Sequence, residues 1–216
     1  EQIFKNISII GLGLIGTSIL HAIKAKNNKE MITYAYDVNS NHRNTVLEMG
    51  VATFICVIDF LYPNPNNIYL FLASVSGAMS DTWGTEFGKL SKIKPISIIS
   101  FRPISHGISG GVTRVGTLGS LLGSCIIGLT TWCLIPVGGL IIYCIILSGF
   151  LGAIIDSIFG ATLQGKYETH KGDIVEKYQE RSILISGRSW INNDVVNLIN
   201  TMASPILMYF LLFITK

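Results

Sequence analysis

The 216-residue sequence predicts two unlike parts: a truncated Rossmann-like α/β unit over residues 1–73, then an α-helical transmembrane domain over residues 74–216. Three observations carry this. From Val115 to Ile155 there is no Asp, Glu, Lys or Arg, enough for about two bilayer crossings at roughly 20 residues each. Residues 1–72, by contrast, balance Lys5, Lys24, Lys26, Lys29 and Arg43 against Glu1, Glu30, Asp37, Glu48 and Asp59, as a soluble unit does. That first stretch also opens on a strand, a glycine turn and a helix. Overall, 49% of residues are hydrophobic and only 13% charged, with a mean hydropathy of +0.51. These values exclude a disordered chain, a coiled coil and a highly charged nucleic-acid binder. Cys56, Cys125, Cys133 and Cys144 form no CxxC pair and read as free apolar thiols.

Ile7 to Gly11 reads as a buried strand, followed at once by Gly11-Leu-Gly13-Leu-Ile-Gly16, a helix to about Lys26, and a second strand, Met31 to Tyr36, ending at Asp37. This is the dinucleotide fingerprint in its structural context. Gly11 permits the turn, Gly13 lets backbone approach a pyrophosphate, and Gly16 lets the helix pack on the sheet. Asp37 would accept from the ribose hydroxyls and favour NAD over NADP. Ile68 to Leu72 reads as the last strand of this half sheet. A βαβ unit that binds nothing is the plainer alternative.

In the second part, Pro136, Gly138 and Gly139 sit near the middle of the uncharged run, where a turn belongs. The prediction is a helical hairpin over about 115–162 and a last helix near 195–215. Lys89, Lys92, Lys94, Arg102 and Arg114 flank the hairpin on one side, and Lys166, Lys171, Lys177, Arg181 and Arg188 flank it on the same side. The positive-inside rule then places these loops in the cytoplasm of a multi-pass membrane protein.

Polar clusters interrupt the apolar sequence. Asp81 lies one helical turn from Thr85, and Thr82 one turn from Glu86. Such carboxylates near a membrane suit a cation, and Mg²⁺ takes one or two of them plus phosphate oxygens. Lys89, the adjacent Gly110 and Gly111, and Arg114 can meet phosphate; a solvated loop leading into a helix is an equal alternative. Asp156 shares a helix face with Gly160 and Gln164 late in the second span, and Asn193 shares one with Asn197. The Asn192–Asp194 group can equally cap a helix. All three clusters fall on the same predicted side of the membrane.

Two resemblances add to this reading. Ile7-Ser-Ile-Ile-Gly-Leu-Gly-Leu-Ile-Gly-Thr-Ser, with Tyr36-Asp-Val-Asn-Ser and Leu47-Glu-Met-Gly-Val, resembles the N-terminal part of prephenate/arogenate dehydrogenases over about residues 3–75. That resemblance implies an NAD(P) cofactor bound at Gly11, Gly13, Gly16 and Asp37. Asp81-Thr-Trp-Gly-Thr-Glu-Phe-Gly-Lys, Gly107-Ile-Ser-Gly-Gly-Val-Thr, Gly152-Ala-Ile-Ile-Asp-Ser-Ile-Phe-Gly and Trp190-Ile-Asn-Asn-Asp-Val-Val-Asn look like an integral-membrane family. It includes the phytyl-phosphate kinases and a TMEM-type protein of uncertain role, and the likeness covers about 74–216. It implies phosphoryl transfer from a nucleoside triphosphate, CTP by preference, to a polyprenyl phosphate, with Mg²⁺.

The residues expected to act are then Asp81, Glu86, Asp156 and Asp194 in catalysis, with Asp81 and Glu86 on the metal. Lys89, Gly110, Gly111, Arg114, Gln164, Asn193 and Asn197 are expected on phosphate or substrate. The expected partners are a membrane lipid or polyprenyl phosphate and a nucleotide, with no nucleic acid. Side by side, the two resemblances read as a fusion or chimera. A dehydrogenase fragment and a non-catalytic membrane protein are the rival readings.

Overall fold

The computed structural model describes residues 6–10, 32–36 and 43–215, with side chains from residue 50 onward. Strands β1 (Asn6–Ile10) and β2 (Ile32–Tyr36) pair in parallel, Asn6 opposite Ile32. Helices α1 (Arg43–Leu61) and α2 (Asn67–Lys89) follow. A small antiparallel pair, β3 (Ile96–Ser97) with β4 (Gly111–Val112), leads into α3 (Arg114–Leu134) and α4 (Gly139–Thr162). Strands β5 (Lys166–Glu168), β6 (Ile174–Val175) and β7 (Ile183–Ser186) form a three-stranded sheet with β5 central, and α5 (Asn193–Ile214) ends the description.

The expected α/β first part is corrected by this arrangement. Among the described residues the molecule is mainly helical, and its sheets have two or three short strands. Ile68 to Leu72, read from their β-branched and aromatic side chains as a sheet strand, form the first turns of α2. Tertiary packing overrides that local preference. The same segment continues into Ala73–Ser80, whose small side chains lie on a helix face buried against three other helices. Among the described residues no third parallel strand joins β1 and β2, so the two make no doubly wound sheet there. Gly11, Gly13, Gly16 and Asp37 lie outside the described residues.

Helix α1 turns back into α2 through Tyr62–Asn66. The Asp59 carboxylate closes this turn: Oδ1 accepts from the Asn64 N–H at 3.2 Å and from Asn67 Nδ2 at 3.0 Å. Helix α2 is the hub of the bundle and packs on α3, α4, α5 and α1. Its buried residues are all small: Ala73, Ser74, Ser76, Gly77, Ala78 and Ser80. Small residues let helix backbones approach closely, which is how helices associate where lipid removes the hydrophobic drive. A Cβ on Gly119 would lie 2.7 Å from the Trp83 carbonyl oxygen, and one on Gly123 would lie 2.7 Å from that of Met79. Gly77 on α2 and Gly152 on α4 both face Asn200 and Ser204 of α5 with no room for a Cβ.

Hydrogen bonds stitch this buried junction. Ser80 Oγ donates to the Ser120 carbonyl at 2.9 Å, and Asn200 Nδ2 donates to the Gly77 carbonyl at 3.2 Å. Pro205 lies inside α5. Lacking an N–H, it leaves the Thr201 carbonyl one turn back without its helical donor. Ser74 Oγ on α2 donates to that carbonyl at 3.1 Å. A hydroxyl on one helix thus completes the backbone of another.

Helices α3, α4 and α5 are each long and apolar enough to cross a membrane. Ile135–Gly138 joins α3 to α4 at one end of the bundle. At the other end lie the last turns of α2 and α4, the first turns of α3 and α5, and both long polar connections, 90–113 and 163–192. The candidate site lies at that end.

Candidate functional site

A cleft of about 920 Å³ opens among these helix ends. Helix α2 contributes Asp81, Thr85, Glu86 and Lys89 from its last turns. The 90–113 connection contributes His106 and the segment Gly107–Val112, and α3 adds Thr113, Gly116 and Thr117. Asp156 and Ser157 enter from α4, Glu176 from just beyond β6, and Asn193 and Asn197 from α5. Five separate stretches of sequence therefore meet at one opening.

Two helix N-termini border it. Thr113 caps α3, its Oγ1 accepting from the Gly116 N–H at 3.0 Å. Asn192 caps α5, its Oδ1 accepting from the Val195 N–H at 3.1 Å. The remaining first-turn N–H groups and the helix dipoles favour an anion there. Glu86 and Lys89 form an exposed ion pair at 2.5 Å, which is worth little in stability but leaves a cation at the rim.

Gly107 and Gly110 hold φ at +84° and +81°, conformations that L side chains resist. Gly110 also presses against the backbone of Ala161 near the end of α4, where a Cβ would collide. Glu176 fixes this glycine segment. Its Oε1 accepts from the Ser109 N–H, and its Oε2 accepts from Ser109 Oγ at 2.9 Å and from Gln164 Nε2 at 2.8 Å. Lys166 Nζ completes the group, donating to the carbonyls of Ser109 at 3.2 Å and Ala161 at 3.3 Å. Burial pushes the Lys166 amine below its ordinary value, and the Glu176 charge offsets part of that.

The structure sorts the expected residues. Asp81, Glu86, Lys89, Gly110, Gly111, Asp156, Asn193 and Asn197 all line the cleft. Arg114, Gln164 and Asp194 do not. Arg114 is the exposed first residue of α3. Gln164 is buried and supports Glu176 from behind. Asp194 sits in the first turn of α5 and accepts from Asn192 Nδ2 at 3.3 Å, so it belongs to the cap. No group of three or more His, Cys, Asp or Glu among the described residues could form an all-protein metal cage. The donor set instead suits an ion such as Mg²⁺ completed by phosphate oxygens and water, with Asp81 and Asp156 facing the opening.

The model of the integral membrane protein family DUF92 matches residues 7–204. The chain belongs to the DUF92 integral membrane family. Among curated relatives, the DUF92 chain is 33% identical to Protein PGR of Arabidopsis thaliana over 59% of its own length and 48% of that protein. It is 32% identical to an uncharacterized membrane protein of Methanocaldococcus jannaschii, over 63% of the chain and 48% of the relative. A membrane protein of Synechocystis, also uncharacterized, is 29% identical over 68% and 50%. The chain spans about half the length of the curated relatives it matches. No solved structure matches it.

The DUF92 match corrects a second expectation. It runs across residue 73 without a break and takes in most of the stretch read as a dehydrogenase remnant. Helix α2 likewise passes through residue 73 as one continuous helix. Neither the dehydrogenase segment nor the chimera finds support. Glu176 is the site residue that sequence reasoning missed. It lies in a charge-mixed stretch, Lys171 to Arg181, with no periodicity to mark it.

Proposed function

We propose that this DUF92 chain is a membrane-embedded transferase that handles a phosphorylated lipid, acting as a prenyl-phosphate kinase with CTP as donor. The observation that supports this best is the cleft itself. Two capped helix N-termini and the rim ammonium of Lys89 offer donors to phosphate beside the glycine segment, while Asp81 and Asp156 face the same space. Both basic connections lie at this end of the bundle, and the positive-inside rule puts that end in the cytoplasm, where nucleotides and magnesium are.

Phosphoryl transfer asks a protein mainly for positioning and charge neutralisation. Asp81, Asp156 and Glu86 are the carboxylates that would hold Mg²⁺ with phosphate oxygens, the ion supplying charge neutralisation when bound. Lys89 and the α3 and α5 N-termini would orient phosphates. The Ser109–Gly111 segment would form the wall against which they rest, held in place by Glu176.

The test is CTP-dependent phosphorylation of phytyl phosphate by proteoliposomes carrying the full chain. Asp81→Asn and Asp156→Asn should each lower the rate by about 100-fold or more, given what one electrostatic contact to a developing charge contributes. Absence of activity in the unmutated chain with any nucleoside triphosphate, or full activity in Asp81→Asn, would overturn the reading.

A further inference from the structure

The 90–113 connection has an inner side, facing the cleft, and an outer side that the proposed reaction does not use. Residues 95–104 form a closed finger. The Ser97 N–H donates to the Arg102 carbonyl and the Ile104 N–H to the Pro95 carbonyl, both at 2.9 Å. The tip turns through Ser100 and Phe101, where the Phe101 N–H donates to the Ser97 carbonyl at 2.9 Å and the Ser100 N–H to Ser97 Oγ at 3.2 Å. The finger is tied to the wall of the cleft, since the Ile98 N–H donates to the Gly110 carbonyl at 2.9 Å.

The outer side of residues 90–104, this finger and the chain leading into it, carries exposed apolar side chains. Phe101 is 80% exposed and holds φ at +56°, a region that bulky residues avoid. Ile93 is 75% exposed and Leu90 74%, both directly beyond the last turn of α2. Lys92, Lys94 and Arg102 are exposed among them. The sequence has no Asp or Glu between Phe87 and Arg114. Apolar side chains interleaved with uncompensated basic ones, beside the end of a membrane-spanning bundle, match one chemistry: the boundary between anionic headgroups and acyl chains.

We propose that the 90–104 finger docks on the bilayer that holds the bundle, with Phe101, Ile93 and Leu90 in the interfacial layer and Lys92, Lys94 and Arg102 on anionic phospholipid. The Phe101 backbone is then held in its unfavourable conformation because the turn aims the ring at lipid. Pro95 and Ile98 on the same finger line the cleft, so docking fixes the mouth of the cleft at the membrane surface. The inference rests on the membrane family and the finger geometry, and stands whether or not the cleft transfers phosphate.

The experiment reads Phe101→Trp in proteoliposomes of the full chain, with the parent protein subtracted to remove Trp83, Trp132 and Trp190. Vesicles of phosphatidylcholine alone are compared with vesicles containing phosphatidylglycerol. The new tryptophan should be quenched by phospholipid brominated near the headgroup end of its acyl chains and shielded from aqueous acrylamide, more strongly with phosphatidylglycerol. Replacing Lys92, Lys94 and Arg102 by Gln should erase the phosphatidylglycerol dependence, since each basic residue near an anionic surface shifts such an equilibrium about fivefold. Full acrylamide access with no bromine quenching in either vesicle would overturn the proposal and point to a protein partner. Quenching unaffected by the three Gln substitutions would overturn the anionic-lipid assignment. Wild-type CTP turnover or its absence does not bear on either outcome.

Discussion

Between Ala73 and Ser80, helix α2 is buried on small side chains against α3, α4 and α5; between Asp81 and Lys89 the same helix opens onto the cleft and carries both of its acids and its one base. The first half tolerates nothing larger than serine on its buried face. The second half still packs on α3 through Gly84 and the Trp83 backbone, and it brings Asp81, Thr85, Glu86 and Lys89 to the cleft. Rigid support and chemical exposure thus follow one another along a single helix, so that the reactive end is aimed by the packed end. Stability should depend on the first half and activity on the second.

The substitution expected to act most strongly on stability is Gly77→Leu. Its side chain would enter the space filled by Asn200 and Ser204 at the meeting of three helices. Overpacking of this kind costs about 1–3 kcal/mol and often more, so a large fall in the midpoint of thermal unfolding in detergent is expected. Gly123→Leu, on α3 and facing Met79 and Ser80 of α2, should behave alike. A midpoint close to the parent value in both would break the distinction between the two halves.

A smaller effect should come from Ser74→Ala, which strands the buried Thr201 carbonyl at a cost of about 1–3 kcal/mol. Pro205→Ala restores the helical donor to that carbonyl. The two changes should therefore be strongly non-additive: Ser74→Ala costs much less when residue 205 is Ala. A double-mutant cycle on unfolding free energies checks this, and simple additivity would show that Ser74 does not repair α5.

Glu176→Gln should cost less again in global stability, yet loosen the glycine segment. Faster hydrogen exchange at the Ser109 amide is the expected readout. The same network predicts a pH dependence. Because the folded Lys166 amine titrates below its ordinary value of 10.5, its charged form weakens the fold at neutral pH. Stability from this group should rise as pH climbs from the lowered folded value toward 10.5. Without the Glu176 charge, which favours the protonated amine, the rise should begin at lower pH. A titration of unfolding midpoint between neutral and alkaline pH, with and without Glu176→Gln, tests the sign. The smallest effect belongs to Lys89→Gln, which breaks only the exposed pair with Glu86 and should move stability by less than about 1 kcal/mol.

The sequence made some of this legible and hid the rest for physical reasons. The uncharged run around Pro136 announced α3 and α4, because lipid exposure selects apolar side chains along nearly every turn. The glycine pair, Asp156 and the Asn193–Asn197 face were visible as polar interruptions, and the fold brings them to one opening. Only the last turns of helix α2, around Asp81 to Glu86, were visible as a helix; its first half was not. Buried among helices and lined with Ala, Ser and Gly, it shows no apolar stripe, and its first turns imitate a strand. Glu176 was hidden because its role comes from a contact with Ser109 67 residues away, and no local pattern records that pairing.

Helix α2 has a consequence for how the molecule is made. Its mix of serine, glycine and charge is a poor signal for the machinery that moves helices into lipid one at a time. Helices α3 to α5, which can enter alone, are synthesised afterwards. The hub of the bundle is therefore made before α3, α4 and α5, the three apolar helices it packs against. A chain cut after Leu134 should leave α2 accessible to water-soluble reagents in microsomes, and one extended past Thr162 should not.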